Sequence, residues 1–140
     1  LPLFDVFDRI AGARADRSRL LWMLGLGYGA VWALFGLVAH GLHGLLLAAV
    51  DASPRLAWHA GLFGAATLLL AGAFQFSALK RRCLEQCRTP TSFVMRHWQA
   101  GGGAAAAFRL GARHGVFCVG CCWALMLLMF LVGAGSLGWM

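Results

Sequence analysis

Three long stretches without a charged side chain limit what this chain can fold into. Residues 20–40, 56–79 and 116–140 contain 21, 24 and 25 residues, and none of them is Asp, Glu, Lys or Arg. A helix of about 20 apolar residues crosses the roughly 30 Å hydrocarbon core of a bilayer. Each stretch therefore predicts a transmembrane helix, and the first has the composition to run on to residue 50.

The composition fits a chain embedded in lipid better than a soluble domain. Hydrophobic residues make up 61% of the chain and charged residues only 12%, whereas about a quarter of a typical soluble domain is charged. Leu, Ala and Gly outnumber β-branched residues, which favours helices over barrel strands. We therefore predict an all-α integral membrane helical bundle, a single domain over residues 1–140 with three transmembrane helices and interfacial amphipathic helices.

The segments outside the three spans are mixed in composition. Residues 1–19 combine arginines and aspartates with one apolar edge, which predicts an interfacial N-terminal segment. Residues 80–115 form a basic loop in which short helices are expected. Thr89 followed by Pro90 is typical of a helix start, and this predicts a short amphipathic helix that ends near Trp98.

The basic residues predict an orientation in the membrane. Of the twelve Lys and Arg residues, four precede the first span, one lies between the first and second, and seven lie between the second and third. Cytoplasmic segments of membrane proteins carry the excess of Lys and Arg. We therefore expect a bacterial inner-membrane protein whose N-terminus and residues 80–115 are cytoplasmic. Orientation explains the net charge of +7 better than nucleic-acid binding, which we do not expect.

The cysteines are the candidate binding residues. Cys83 and Cys87 are four residues apart, as are Cys118 and Cys122, so each pair lies on one face of a helix. Cys121 is adjacent to the second pair, and His114 extends its row by one turn. Both groups are expected near the cytoplasmic boundary, where thiolates and an imidazole would suit a soft ion, copper more than zinc. The candidate metal ligands are Cys83, Cys87, His114, Cys118, Cys121 and Cys122.

Axial position limits which of these residues can share one ion. In a straight second helix Cys87 lies about 6 Å beyond Cys83 and outside the membrane, whereas Cys122 lies inside. A single site of all four paired cysteines therefore requires a bend. A smaller site of Cys83 and Cys118 with His114 or Cys121 is easier to build. Neighbouring arginines are expected to keep the thiolates ionised; they are Arg81, Arg82 and Arg88.

Three further histidines are expected near the opposite, non-cytoplasmic end of the spans. His40 and His43 lie on one face of the first predicted helix, and His59 enters from the second. Their imidazoles either bind a second metal or tolerate interfacial water. The sequence does not distinguish these two roles.

Two segments carry a distinctive pattern, Gln75-Phe-Ser-Ala-Leu-Lys80-Arg-Arg-Cys83-Leu-Glu-Gln-Cys87-Arg88-Thr-Pro90 and Gly115-Val-Phe-Cys118-Val-Gly120-Cys121-Cys122-Trp123-Ala-Leu-Met126. In these segments, and in Gly25-Leu-Gly-Tyr28-Gly-Ala-Val-Trp32, the chain resembles a bacterial family of predicted metal-binding integral membrane proteins. The function of that family is unknown. The Cys-x-Gly-Cys-Cys-Trp string is the specific motif of this resemblance, which implies an integral membrane protein that binds a metal ion.

The leading hypothesis is an inner-membrane protein that handles or delivers a soft metal and is not an enzyme, since no catalytic motif is visible. The first alternative is a structural subunit of a larger membrane complex in which the cysteines only pack. The second is thiol–disulfide electron transfer, which requires a cycling pair of cysteines. Expected partners are the lipid bilayer and a membrane protein or second copy, docked through glycine-rich helix faces. The glycines that repeat at near-helical spacing on these faces are Gly25, Gly29, Gly61, Gly64, Gly133 and Gly135.

Overall fold

The computed structural model describes residues 2–12, 14–53, 60–98 and 101–131, and in these ranges the chain is all-helical with no β-strand. Six α-helices follow one another along the chain. They are α1 (Pro2–Ala11), α2 (Arg17–Ala52), α3 (Ala60–Gln75), α4 (Ala78–Arg88), α5 (Pro90–His97) and α6 (Ala104–Leu131). The predicted all-α class is therefore confirmed for the described residues.

Among the described residues, two helices are long and apolar enough to cross a membrane, α2 and the Ala104–Met129 part of α6. With 36 residues, α2 is about 54 Å long. The second predicted span begins among residues 54–59, outside the described residues, and its described part is the 16-residue helix α3. A third crossing therefore stays a prediction. Helix α6 runs without interruption through residue 115, where the predicted loop was expected to end and the third span to begin. Residues 132–140 of that predicted span lie outside the described residues.

The most extensive packing in the chain is between α2 and α6. Gly27 and Gly111 lie where the two backbones touch: a Cβ atom on Gly27 would collide with the Phe108 carbonyl oxygen, and one on Gly111 with the Leu24 carbonyl oxygen. Only glycine permits such a close approach. The crossing fixes the rotation of α6 and so the direction in which its later residues point.

The glycines that actually bring helices together differ from those singled out by near-helical spacing. Gly29 and Gly64 have no neighbouring atom within 4 Å of a built Cβ position, and Gly25 meets only the Phe4 ring. The predicted docking of a partner through glycine-rich faces is not tested by these contacts. Gly133 and Gly135, also expected on such faces, lie outside the described residues.

A small apolar core joins α1 and α5 to the first turns of α2 and α6. Leu3 and Phe7 of α1 are completely enclosed, and the Phe7 ring meets Trp98 edge to face at a centroid distance of 4.8 Å. The other buried members of this core are Ala11, Leu20, Leu24, Phe93, Val94, Ala107 and Leu110. The apolar edge of the N-terminal segment is thus packed mainly against protein, and Ile10 on the same helix remains 42% exposed.

The chain turns sharply between α3 and α4. Helix α3 ends at Gln75, and Ser77 starts α4 by accepting a hydrogen bond from the Lys80 backbone N–H at 3.1 Å. Helix α5 occupies the position predicted from Thr89 and Pro90, although the Thr89 hydroxyl donates backward to the Glu85 carbonyl. These two joints place α4 against α6.

Candidate metal centre

Three potential metal ligands meet between α4 and α6. Cys87 comes from the last turn of α4, and His114 and Cys118 lie one turn apart on α6. The sulfur atoms of Cys87 and Cys118 are 3.3 Å apart, and one donor atom from each of the three residues lies within 4.8 Å of the other two. Side chains from distant parts of the sequence thus converge on one small volume.

His114 is buried, with 7% of its surface exposed. Its ring lies between Phe93 and Tyr28, at centroid distances of 5.2 and 6.1 Å. Its Nδ1 atom is buried without a hydrogen-bond partner among the described residues. A buried polar atom without a partner costs about 1–3 kcal/mol, and a bound ion would remove the need for such a partner.

Cys83 has a different role from Cys87, one turn earlier on α4. It is buried and packs against Gly120 of α6, where a built Cβ atom would lie only 3.0 Å from the Cys83 sulfur. The absence of a side chain at Gly120 therefore lets α4 approach α6. This contact explains the glycine of the Cys-x-Gly-Cys-Cys-Trp motif, because it brings the next turn of α4, with Cys87, up to Cys118.

Cys121 and Cys122 lie on the following turn of α6 and do not complete the three-ligand group. Both of their thiols donate to the Cys118 carbonyl oxygen, each at 3.0 Å. The two sulfur atoms are half-buried and share this acceptor. They form an adjacent thiol pair one turn along α6 from the Cys87–His114–Cys118 group.

Tyr28 is a site residue to which sequence reasoning assigned no role. Its hydroxyl and the His114 ring both interact with the Cys118 thiol, so α2 supplies a third wall of the site. The signal for this contact lay in Gly111 and Gly115, because glycines four residues apart mark a close crossing of helices. The partner helix could not be deduced from them.

The donor set fits a soft ion. Two sulfur atoms and one imidazole nitrogen suit Cu(I) or Zn(II), but structural zinc sites take four ligands, and three are present here. Bonds of about 2.0–2.3 Å in a planar three-ligand site hold the donor atoms roughly 3.5–4 Å apart. The two sulfur atoms would therefore separate by less than about 1 Å to admit the ion.

The surroundings of the two α4 thiols favour their protonated forms. Hydrogen bonding to Cys118, followed by burial, raises the pKa of the Cys87 thiol. Burial also raises the pKa of the Cys83 thiol. The prediction that arginines keep these two cysteines ionised is wrong: Arg81, Arg82 and Arg88 are exposed, and solvent screens their charge. An ion that binds between the Cys87 and Cys118 sulfur atoms must therefore displace the proton of the hydrogen bond that joins them.

The structure brings together three of the six predicted ligands, Cys87, His114 and Cys118. Cys83, Cys121 and Cys122 surround them. The smaller site expected from the sequence used Cys83 in place of Cys87, because a straight second helix was assumed. The joint at Phe76 and Ser77 ends α3 and starts α4 as a separate helix, so the assumption of one straight helix does not hold.

The second predicted group, the histidines of the opposite end, is described only in part. His40 and His43 lie on α2, with His40 exposed and His43 half-buried. His59 lies outside the described residues. The alternative metal site at that end therefore stays a prediction.

Comparison with known protein families gives one match. A family model named PpoB2, with the description copper chaperone, matches residues 1–140, the whole chain. No curated protein and no solved structure matches the chain. The match agrees with the metal-related part of the resemblance noted from the sequence, and a chaperone for copper is a carrier and not an enzyme.

Proposed function

Because the chain belongs to the PpoB2 copper chaperone family, we propose that it binds one Cu(I) ion between Cys87, His114 and Cys118 and passes it to an acceptor protein. Copper is the cargo in this proposal. The observation that carries it is the convergence of the three donor atoms within 4.8 Å. No other group of three potential metal ligands is found in the described part of the chain.

The properties of the ligands support cargo binding over permanent binding. Three ligands leave Cu(I) open to attack by a thiolate from an acceptor, and both sulfur atoms of the group are only half-buried. His114 is the buried member and anchors the ion from the side of α2. Cys121 and Cys122 offer the next pair of thiols along α6, and ligand exchange between neighbouring soft donors is a direct route for release.

The same proposal places the protein in the bacterial inner membrane. Large apolar side chains of α2 point outward from the described structure; Leu37 and Leu45, for example, are 71% and 70% exposed. In water such a surface would be a strong aggregation hazard, whereas lipid would cover it. The 4, 1, 7 distribution of basic residues supports a cytoplasmic position for α4, α5 and the start of α6. Inside-out vesicles expose the cytoplasmic face to added protease. Protection of the α4–α5 segment in such vesicles would therefore contradict this orientation.

The test of copper binding is a Cu(I) competition titration on the full chain in detergent, under reducing and oxygen-free conditions. Cys118→Ser removes a ligand of the group, and Cys122→Ser is the matched control on the next turn of the same helix. We expect the wild type and Cys122→Ser to bind one ion with similar affinity. Cys118→Ser is expected to bind at least about tenfold more weakly. Equal affinities in all three proteins would reject the proposed site.

A second candidate function follows from the 3.3 Å contact between Cys87 and Cys118. The pair needs to close to about 2.05 Å to form a disulfide, so thiol–disulfide exchange is the rival chemistry. Trapping of a mixed disulfide at Cys87 in a protein that binds no copper would favour it. A protein that binds no copper, traps no disulfide and purifies with a stoichiometric partner would instead be a structural subunit.

A further inference from the structure

A cavity of about 480 Å³ is lined by the last residue of α5 and by residues of the first turns of α6. The Phe93 ring connects its surroundings to the candidate metal centre, because it lies 4.6 Å from the His97 ring and 5.2 Å from the His114 ring. His97 lines the cavity, and His114 belongs to the candidate metal centre. The residues that line the cavity are His97, Gly102, Ala106, Arg109, Leu110, Ala112 and Arg113.

The cavity carries positive charge without a carboxylate. Arg109 and Arg113 are four residues apart, so both guanidinium groups lie on one face of α6. None of the described residues that line the cavity is Asp or Glu. The ion pairs found among the described residues join Arg14 to Asp16 and Arg17 to Asp8, far from this face. The two arginines therefore have no acidic partner within the described parts of the chain.

The geometry of the other walls favours an anion attached to an apolar body. His97 is fixed at the cavity edge because its ring hydrogen-bonds the Phe93 carbonyl through Nδ1 at 2.9 Å. Ala106, Leu110 and Ala112 also line the cavity and supply apolar surface. Two planar guanidinium groups bind phosphate oxygens with several hydrogen bonds, and the apolar surface suits the glycerol and first methylenes of a lipid.

The position of the cavity along α6 agrees with a lipid ligand. All of its α6 residues lie within the first ten of the helix, at the start of the candidate span Ala104–Met129. If α6 crosses the membrane, this is the depth of the headgroups. Basic pockets at the cytoplasmic end of membrane helices bind the headgroups of anionic lipids.

We propose that this cavity binds the phosphate group of an anionic membrane lipid between Arg109, Arg113 and His97. The proposal rests on the membrane location given above and is independent of copper binding. The same phosphate chemistry has a second possible source, a free phosphate ion, and the experiment separates the two sources. Lipid held here would pack the joint between α5 and α6 beside the metal centre.

The experiment measures bound lipid by native mass spectrometry of the full chain in a neutral detergent. The protein is incubated with phosphatidylglycerol or with phosphatidylcholine. The pocket variant is Arg109→Gln with Arg113→Gln. The matched control is Arg81→Gln with Arg82→Gln, which removes the same charge from exposed residues of α4 that do not line the cavity. Thermal unfolding with inorganic phosphate and no lipid is the second arm.

We expect the wild type and the control to retain phosphatidylglycerol and the pocket variant to retain about tenfold less, with little phosphatidylcholine on any of them. Equal retention by both double variants overturns the proposal. A different result would assign the cavity to a free anion and overturn the lipid proposal. In that case inorganic phosphate stabilises the wild type but not the pocket variant, and the wild type shows no preference between the two lipids. Circular dichroism and Cu(I) binding verify that each variant is folded. If a double variant does not fold, the corresponding single Arg→Gln variants are measured in its place.

Discussion

His114 shows how a single residue links burial to function. A histidine of which 7% is exposed and whose Nδ1 has no partner among the described residues contributes less to stability than a fully hydrogen-bonded side chain would. Tyr28 and Phe93 hold the ring from two sides, so it is positioned before any ion arrives. Such fixed positioning lowers the entropy cost of binding.

Asp8 and Arg17 form a bidentate ion pair that ties α1 to the first residue of α2. The hydrogen bonds from Arg17 lower the pKa of Asp8 below its ordinary value of 3.8. A carboxyl with a lowered pKa contributes stability that is present above about 3.8 and lost as the pH falls through the lower, folded value. We predict that Asp8→Asn is slightly less stable than the wild type at pH 6. The variant should also lack the part of the acid-induced loss of stability that comes from protonation of Asp8.

The measurement for Asp8 is thermal unfolding in detergent between pH 2 and 6. Asp5→Asn is the control on the same helix, because Asp5 makes no ion pair among the described residues. Asp5→Asn should follow the wild-type acid profile, while the Asp8→Asn profile should be flatter. Identical profiles for Asp8→Asn and wild type would show that the pair contributes nothing. The effect is expected to be small since the pair is solvent-exposed.

At the scale of helices, the crossing of α2 and α6 depends on Gly27. A methyl group there would collide with the Phe108 carbonyl oxygen, whereas one at Gly29, two residues on, meets nothing within 4 Å. We predict that Gly27→Ala lowers the free energy of unfolding by at least about 2 kcal/mol. Gly29→Ala should leave it unchanged or raise it by about 0.5–1 kcal/mol through helix propensity. Denaturant unfolding of the two variants in one detergent distinguishes them, and equal stabilities would contradict the crossing.

The contact between α4 and α6 depends on Gly120. A Cβ atom there lies 3.0 Å from the Cys83 sulfur, so Gly120→Ala should push α4 away and move Cys87 from Cys118. We predict a loss of about tenfold in Cu(I) affinity, measured by the same competition titration. The double variant Gly120→Ala with Cys83→Ala should recover most of the affinity because the displaced sulfur is gone. Wild-type affinity in Gly120→Ala would argue against this role of the glycine.

The helices were predictable from the sequence and the angle between them was not. Uncharged apolar runs indicated α2, α3 and most of α6, and Thr89 with Pro90 indicated α5. The break at Phe76 and Ser77 was missed because the residues around it, Gln75 to Leu79, carry no charge and so continue the uncharged run. Serine is a common helix cap, but it is also tolerated inside membrane helices, so it carried no clear signal.

The same break explains how far the candidate site could be predicted. The sequence identified Cys87, His114 and Cys118 among six candidates, because thiols and an imidazole at one-turn spacing are typical ligands. Choosing between Cys83 and Cys87 required the position of α4 relative to α6. That position is set by Gly120 and by the turn at Ser77, and neither is visible in hydropathy. Tyr28 was missed for the same reason, because it enters from a different helix.

For the whole molecule, α6 is the element on which the other parts depend. It contacts α2, α3 and α4, supplies His114 and Cys118, and lines the basic cavity with Arg109 and Arg113. The candidate metal centre and the cavity lie between the start of α6 and Cys118, toward the end that we propose faces the cytoplasm. In that orientation the reducing cytoplasm would keep copper as Cu(I), which agrees with a thiol-rich site.

The central claim is that copper is bound by Cys87, His114 and Cys118 together. X-ray absorption at the copper edge of the Cu(I)-loaded full chain tests it most directly. We predict two sulfur neighbours at about 2.3 Å and one nitrogen at about 2.0 Å, with the nitrogen lost in His114→Ala and one sulfur lost in Cys87→Ser. A sulfur-only environment that is unchanged in both variants would place the ion elsewhere and contradict the claim.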